Sequence, residues 1–161
     1  MAEINYTVEI EAPVEDVFEF DSNPENWTKT MPSLRDLEIL EETEDTVRMT
    51  AIYDMLGRSI EIEQELTILE PNEHYHVTVE GDEVAGEIHN HFEETERGTR
   101  INHRAEFEFG DSLFGRLMAP VARRYNDRQF KNHLQHVKEL TEAEFEADTE
   151  IEADTQADAE A

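Results

Sequence analysis

The chain has 161 residues, with 41 acidic against 13 basic side chains, a formal charge of −28 and 37% hydrophobic residues. At about 100–200 residues per domain it is one domain with a short appendage, and no apolar run reaches the ~18 residues of a spanning helix. Zero cysteines exclude disulfides, thiolate catalysis and Cys-ligated metal, and the strongly negative charge opposes nucleic-acid binding, which needs clustered positive charge.

Residues 3–11 alternate, with Ile4, Tyr6, Val8 and Ile10 on one face and Glu3, Asn5, Thr7 and Glu9 on the other, a half-buried strand. Ala12-Pro13 starts a short helix, with Pro at the first helical position and Glu15 and Asp16 in its first turn. Asp21-Ser22-Asn23-Pro24 ends it and opens a second short helix holding Trp27, which Met31-Pro32 stops. Strands are then predicted near 34–42, 46–55, 59–68, 73–80, 84–94 and 99–109, punctuated by Leu56-Gly57, Pro71-Asn72, Gly81-Asp82 and Arg97-Gly98. At Gly110 the period changes to that of a helix, which Asp111-Ser112 can cap. Its apolar positions are Leu113, Phe114, Leu117, Met118, Val121, Tyr125, Phe130, Leu134, Val137 and Leu140. Pro120 is expected to kink it or split off its first turn.

Residues 142–161 hold nine acids and no base. That composition buries too little surface to offset its ordering entropy, so it reads as a disordered acidic tail after a domain of 1–141. Ten of the bases are Arg and three are Lys (Lys29, Lys131, Lys138). This acid-rich, Lys-poor balance resembles that of proteins from salt-accumulating halophiles, where a Debye length of about 3 Å at 1 M salt makes such a surface tolerable. The N-terminus has neither a basic n-region nor an apolar h-region, so a cytoplasmic location is expected.

The order strand, two short helices, six strands, long helix describes an α+β fold in which a curved antiparallel sheet must cover its apolar face with the C-terminal helix. With Ile10-Glu-Ala-Pro-Val-Glu-Asp-Val-Phe18, Asn23-Pro-Glu-Asn-Trp27, Met31-Pro-Ser-Leu34 and the Gly115-x4-Pro120 helix, it resembles the START-like helix-grip superfamily (SRPBCC), also called the polyketide cyclase/dehydrase and lipid-transport family. The likeness spans 3–140. It implies a sheet of about seven strands gripping the last helix, with a cavity for an apolar molecule between them, and no common catalytic signature.

Cross-strand partners share a face. The apolar parity of 99–109 (Ile101, Ala105, Phe107, Phe109) carries His103 inward, that of 84–94 (Ile88, Phe92) carries Asn90, and that of 73–80 turns Tyr75, Val77 and Val79 inward. Tyr53, Gln64, Tyr75, Asn90 and His103 are thus the polar groups of the predicted interior, and Phe107, Phe114 and Leu117 complete the expected ligand contacts. Such a mixture suits a lipid-, isoprenoid- or quinone-like molecule with one or two polar ends, held by a carrier or sensor. The alternatives are a cyclase/dehydratase using His103 as general acid/base with Tyr53 or Tyr75, and an interaction protein docking through its last helix. No cofactor is expected, and a binding protein is favoured over an enzyme. His74, His76, His89 and His91 form two His-x-His pairs on the outer face; they are the weak candidates for a metal site, none being expected, since a solvated polar face explains them equally well. Arg116, Arg123, Arg124 and Arg128 offer a docking stripe for an acidic partner or an anionic lipid, or else pair with the protein's own carboxylates, the reading favoured here.

Overall fold

In the computed structural model, which describes residues 2–110 and 113–160, the chain runs β1 (Ala2–Ile10), α1 (Val14–Asp21), α2 (Pro24–Thr30), β2 (Leu34–Glu42), β3 (Thr46–Met55), β4 (Arg58–Glu70), β5 (His74–Gly81), β6 (Val84–Glu94), β7 (Thr99–Phe109) and α3 (Leu113–Glu160). The strands form one antiparallel sheet of order β1-β7-β6-β5-β4-β3-β2. β2 to β7 follow one another as a meander, and β1 closes against β7. This is the helix-grip architecture that the element order implies.

Local chemistry sets the pieces. Along β4 the inward Ile62, Gln64 and Leu66 are buried while Glu61, Glu63 and Glu65 stand in solvent, the period-2 pattern of a sheet packed on one side. Leu56 and Gly57 both take positive φ, 52° and 79°, and Met55 pairs with Arg58. That is the primed turn whose twist matches its two strands. Pro13, expected at the first helical position, instead stands just outside α1 as its N-cap, so the helix begins one residue later, whereas Pro24 opens α2 under an Asn23 cap that accepts from the Glu25 N–H.

α3 packs on the concave face through Ala122, Asn126, Phe130, His133, Leu134, Val137 and Thr141, all buried. The stripe keeps helical spacing yet includes Asn126, His133 and Thr141, which an apolar-only pattern skips. Leu117, Val121 and Leu140, expected to face inward, are instead 69%, 48% and 45% exposed. Leu117 and Val121 precede the buried Ala122–Asn126–Phe130 line by one residue in register, which rotates them about 100° toward solvent. Pro120 lies inside α3 without dividing it, and Asp111-Ser112 falls outside the described residues.

Residues 142–160, expected to be disordered, continue α3. Their Glu and Ala are strong helix formers added to a helix whose nucleation cost is already met. Glu142 also belongs to the packed body, since its Oε1 accepts from the Glu11 N–H and from Lys138 Nζ. Among the described residues no helix is long and apolar enough to cross a membrane.

Candidate ligand cavity

The sheet register delivers the interior polar groups in one row: Tyr75 lies opposite Asn90, and Asn90 opposite His103. Their side chains join α1 and α3 in a buried network. Tyr75 Oη donates to Asp21 Oδ2 at 2.8 Å, Asn90 Nδ2 donates to Tyr75 Oη at 2.7 Å, and His103 Nδ1 lies 2.7 Å from Asn90 Oδ1. On the other side of Asp21, His133 Nε2 sits 3.2 Å from Oδ1 and His133 Nδ1 is 2.7 Å from Thr30 Oγ1. Trp27 Nε1 donates to the Asp21 carbonyl at 2.7 Å, so the indole locks the turn that presents the carboxylate.

This chain of bonds fixes the His103 tautomer. A carboxylate only accepts, so the single Tyr75 proton goes to Asp21 and the Tyr75 oxygen accepts from the Asn90 amide. The Asn90 oxygen is left for His103, whose Nδ1 must then donate. Nε2 therefore carries a lone pair, and it is buried without a protein partner, as is Gln64 Oε1. Burial, reinforced by His133 and opposed by Asp21, lowers the His103 pKa to about 4, so the ring is neutral at ordinary pH. Burial beside Asp21 likewise holds the Tyr75 phenol protonated well above its usual range.

Gln64, Tyr75, Asn90, His103 and His133 share one cavity with Val77, Val79, Ile88, Phe107 and Phe130. Phe107 can form that wall because Gly86 lies opposite it in the register; a Cβ at Gly86 would overlap the ring. Toward the β3–β4 hairpin and the end of β7 the lining passes to half-buried Tyr53, Met55, Ile60 and Phe109. Tyr53 Oη donates to Asn126 Oδ1 at 2.7 Å, and burial raises its pKa. The cavity measures ≈ 70 Å³, against the ~150 Å³ that admits benzene in an engineered apolar cavity. As it stands the cavity is too small for a polycyclic guest.

Of the expected ligand contacts, Tyr53, Gln64, Tyr75, Asn90, His103 and Phe107 meet in this cavity. Leu117 does not, being exposed, and the Phe114 side chain lies outside the described residues. Trp27, Met31 and Met55 also line the cavity. Sequence reasoning missed Asp21, Asn126 and His133. Asp21 carried one signal: an acid at the C-terminal end of a helix opposes the helix dipole, so its position there calls for a partner elsewhere.

A family model described as polyketide cyclase/dehydrase and lipid transport matches residues 1–142. The chain belongs to this family. None of the curated proteins matches it, but solved structures with the same fold are numerous. TTHA0849 from Thermus thermophilus is similar with a TM-score of 0.78 and 19% identity, over 88% of this chain and 97% of that one. The Zhui aromatase/cyclase from Streptomyces sp. R1128 gives 0.71 and 15%, over 84% and 92%. A START superfamily protein from Mycobacterium smegmatis gives 0.65 and 15%, over 90% and 97%. At these identities the likeness establishes the fold, and the family spans both cyclases and lipid-transport proteins.

The remaining candidates lie outside this family cavity. His74, His76, His89 and His91 sit on the opposite face of β5 and β6. On α3, Lys131 pairs with Asp127 and Lys138 with Glu142. Arg116, Arg123, Arg124 and Arg128 are exposed and, among the described residues, have no carboxylate within ion-pair distance, contrary to the self-pairing expected of them. Arg116, Arg123 and Arg124 instead line an open polar groove that also includes Glu3, Asp82, Glu83 and Glu108.

Proposed function

We propose that this chain is a carrier or sensor for a small, mainly hydrocarbon molecule bearing a hydroxyl or amide donor, held between the sheet and α3. The observation that carries the reading is the pair of buried acceptors with no protein partner, His103 Nε2 and Gln64 Oε1, on residues that line a largely apolar cavity whose other polar side chains bond one another. A buried acceptor left unmade costs about 1–3 kcal/mol, and a guest's donor relieves that cost while its hydrocarbon gains about 25 cal/mol per Å² of surface removed from water. The size of the cavity favours a slim or short guest over a fused polyketide skeleton.

The electrostatics support binding over turnover. General acid/base catalysis is most effective with a pKa near the working pH, and His103 is held near 4, where its ring neither donates a proton readily nor accepts one strongly. The exposed Arg116, Arg123, Arg124 and Arg128 supply an anion-facing contact beside the exposed Leu117 and Val121, suited to an anionic headgroup from which a guest is collected.

Native mass spectrometry of protein purified from its own host tests this directly. The wild type is expected to carry a bound mass that organic extraction releases as an apolar compound with a hydroxyl or amide group. His103→Leu is expected to lose most of that mass, while Arg123→Glu with Arg124→Glu retains it. A wild type consistently free of bound mass, or a guest retained unchanged by His103→Leu, would overturn the proposal.

A further inference from the structure

We propose that the outer face of β5 and β6 holds a divalent transition-metal ion of the Zn²⁺ class, ligated by His74, His89 and His91. The register sets His74 directly across from His91 and His76 directly across from His89. With the period of two along each strand, this makes a two-by-two block of imidazoles on one face. Elsewhere that face is built largely of glutamates, among them Glu61, Glu63, Glu65, Glu80, Glu87 and Glu106. Four of the chain's seven histidines therefore gather where the prevailing surface chemistry would place carboxylates.

The geometry is close to that of a bound site. His74 Nε2 and His89 Nδ1 are 3.0 Å apart. Two nitrogens each ~2.0–2.1 Å from a tetrahedral ion stand about 3.3 Å from one another. One ligand nitrogen from each of His74, His89 and His91 falls within 4.8 Å of the others. The fourth ring, His76, stacks on His89 with centroids 5.0 Å apart, and its Nδ1 is buried with no protein partner. Glu87 Oε2 lies 3.9 Å from His89 Nε2, longer than the hydrogen bond by which an outer carboxylate orients a ligating imidazole. An all-imidazole set selects Zn²⁺, Cu²⁺ or Ni²⁺ over the oxygen-seeking Mg²⁺ and Ca²⁺.

The site lies on the reverse of the cavity floor. Tyr75 falls between His74 and His76, and Asn90 between His89 and His91, both turned inward as a cross-strand pair. An ion bridging His74 to His89 and His91 ties the two strands together at the rungs that hold Tyr75 and Asn90 in register.

The test is calorimetric titration of the full chain with ZnCl₂ at neutral pH, in about 1 M KCl to shorten screening to ~3 Å and with excess Mg²⁺ to occupy surface carboxylates. One equivalent is expected to bind and to raise the Tm. His89→Gln should weaken binding at least about tenfold, the loss that outer-shell partners alone can carry, and His74→Gln with His91→Gln should abolish it. Co²⁺ in place of Zn²⁺ should give the visible absorption of a low-coordinate nitrogen site in the wild type alone. Should His89→Gln fail to fold, the exposed His91→Gln reads the same loss. No saturable binding by the wild type, or equal binding by wild type and histidine variants, would overturn the site.

Discussion

Replacing Asp21 with alanine is expected to destabilise the fold by about 2–6 kcal/mol, since it strands two buried hydrogen-bond donors at about 1–3 kcal/mol each. The side chain is fully buried at the end of α1, and the residue bridges three elements: Tyr75 on β5, His133 on α3 and, through its carbonyl, Trp27 on α2. Alanine leaves the Tyr75 hydroxyl and His133 Nε2 without their acceptor in a dry interior, and each loses the bond without regaining water. Asp21→Asn keeps an oxygen for one of the two donors and is expected to fall between alanine and wild type. Urea unfolding at neutral pH, read as the shift in midpoint at constant m-value, measures both. A loss below about 1 kcal/mol for Asp21→Ala, the scale of a surface change, would mean that the network does not hold α1 to the sheet.

Acid is expected to destabilise the protein through His103 well before the carboxylates are neutralised. Its pKa is about 4 in the folded chain and about 6.5 in an unfolded one. Below pH 6.5 the unfolded state takes up a proton that the folded state refuses. The stabilisation is therefore complete above about pH 6.5, declines as pH falls toward 4 and is exhausted below that, a loss of about 3 kcal/mol in all. The groups around the ring are Asn90 on β6, Tyr75 on β5, Asp21 on α1, and His133 and Phe130 on α3. Burial dominates, His133 adds to it and Asp21 opposes it. His74 and His89, lowered by partial burial and mutual repulsion, act in the same direction, while easing of the −28 charge acts against it. The difference in unfolding free energy between wild type and His103→Leu, followed from pH 7.5 to 4, isolates the residue. A flat difference would show that His103 is protonated as readily inside the protein as outside.

The sequence made the strands legible because their polar faces are so uniformly acidic. Outward Glu61, Glu63 and Glu65 leave no doubt about the phase of β4, and that phase, carried through the hairpins, turns Tyr75, Asn90 and His103 inward together. The same parity puts the four outer histidines on one face, although only the register makes them direct neighbours. α3 was less legible because its inward face mixes Asn126, His133 and Thr141 among apolar residues, while Leu117 and Val121 are left in water. Hydropathy therefore misjudged the phase of its first turns by one residue. Asp21 was hidden for another reason. As the first residue of an Asp-Ser-Asn-Pro turn it reads as a solvated loop acid, and its burial follows from Trp27 and His133 closing over it, contacts between residues up to 112 positions apart. The acidic tail was judged on burial alone, which disregards how readily a helix already formed by tertiary packing extends through Glu and Ala.

The claim on which the functional account rests is that the space between sheet and α3 receives an apolar guest with a donor group. Titration of the full chain with 1-hexanol, a slim unbranched chain bearing one hydroxyl, read by the fluorescence of the lining Trp27, tests it alongside Val79→Phe, whose added ring fills the cavity at a cost of about 1–3 kcal/mol without abolishing the fold. The account predicts saturable binding of one equivalent to the wild type and none to Val79→Phe; no binding to the wild type, or equal binding to both, would contradict it.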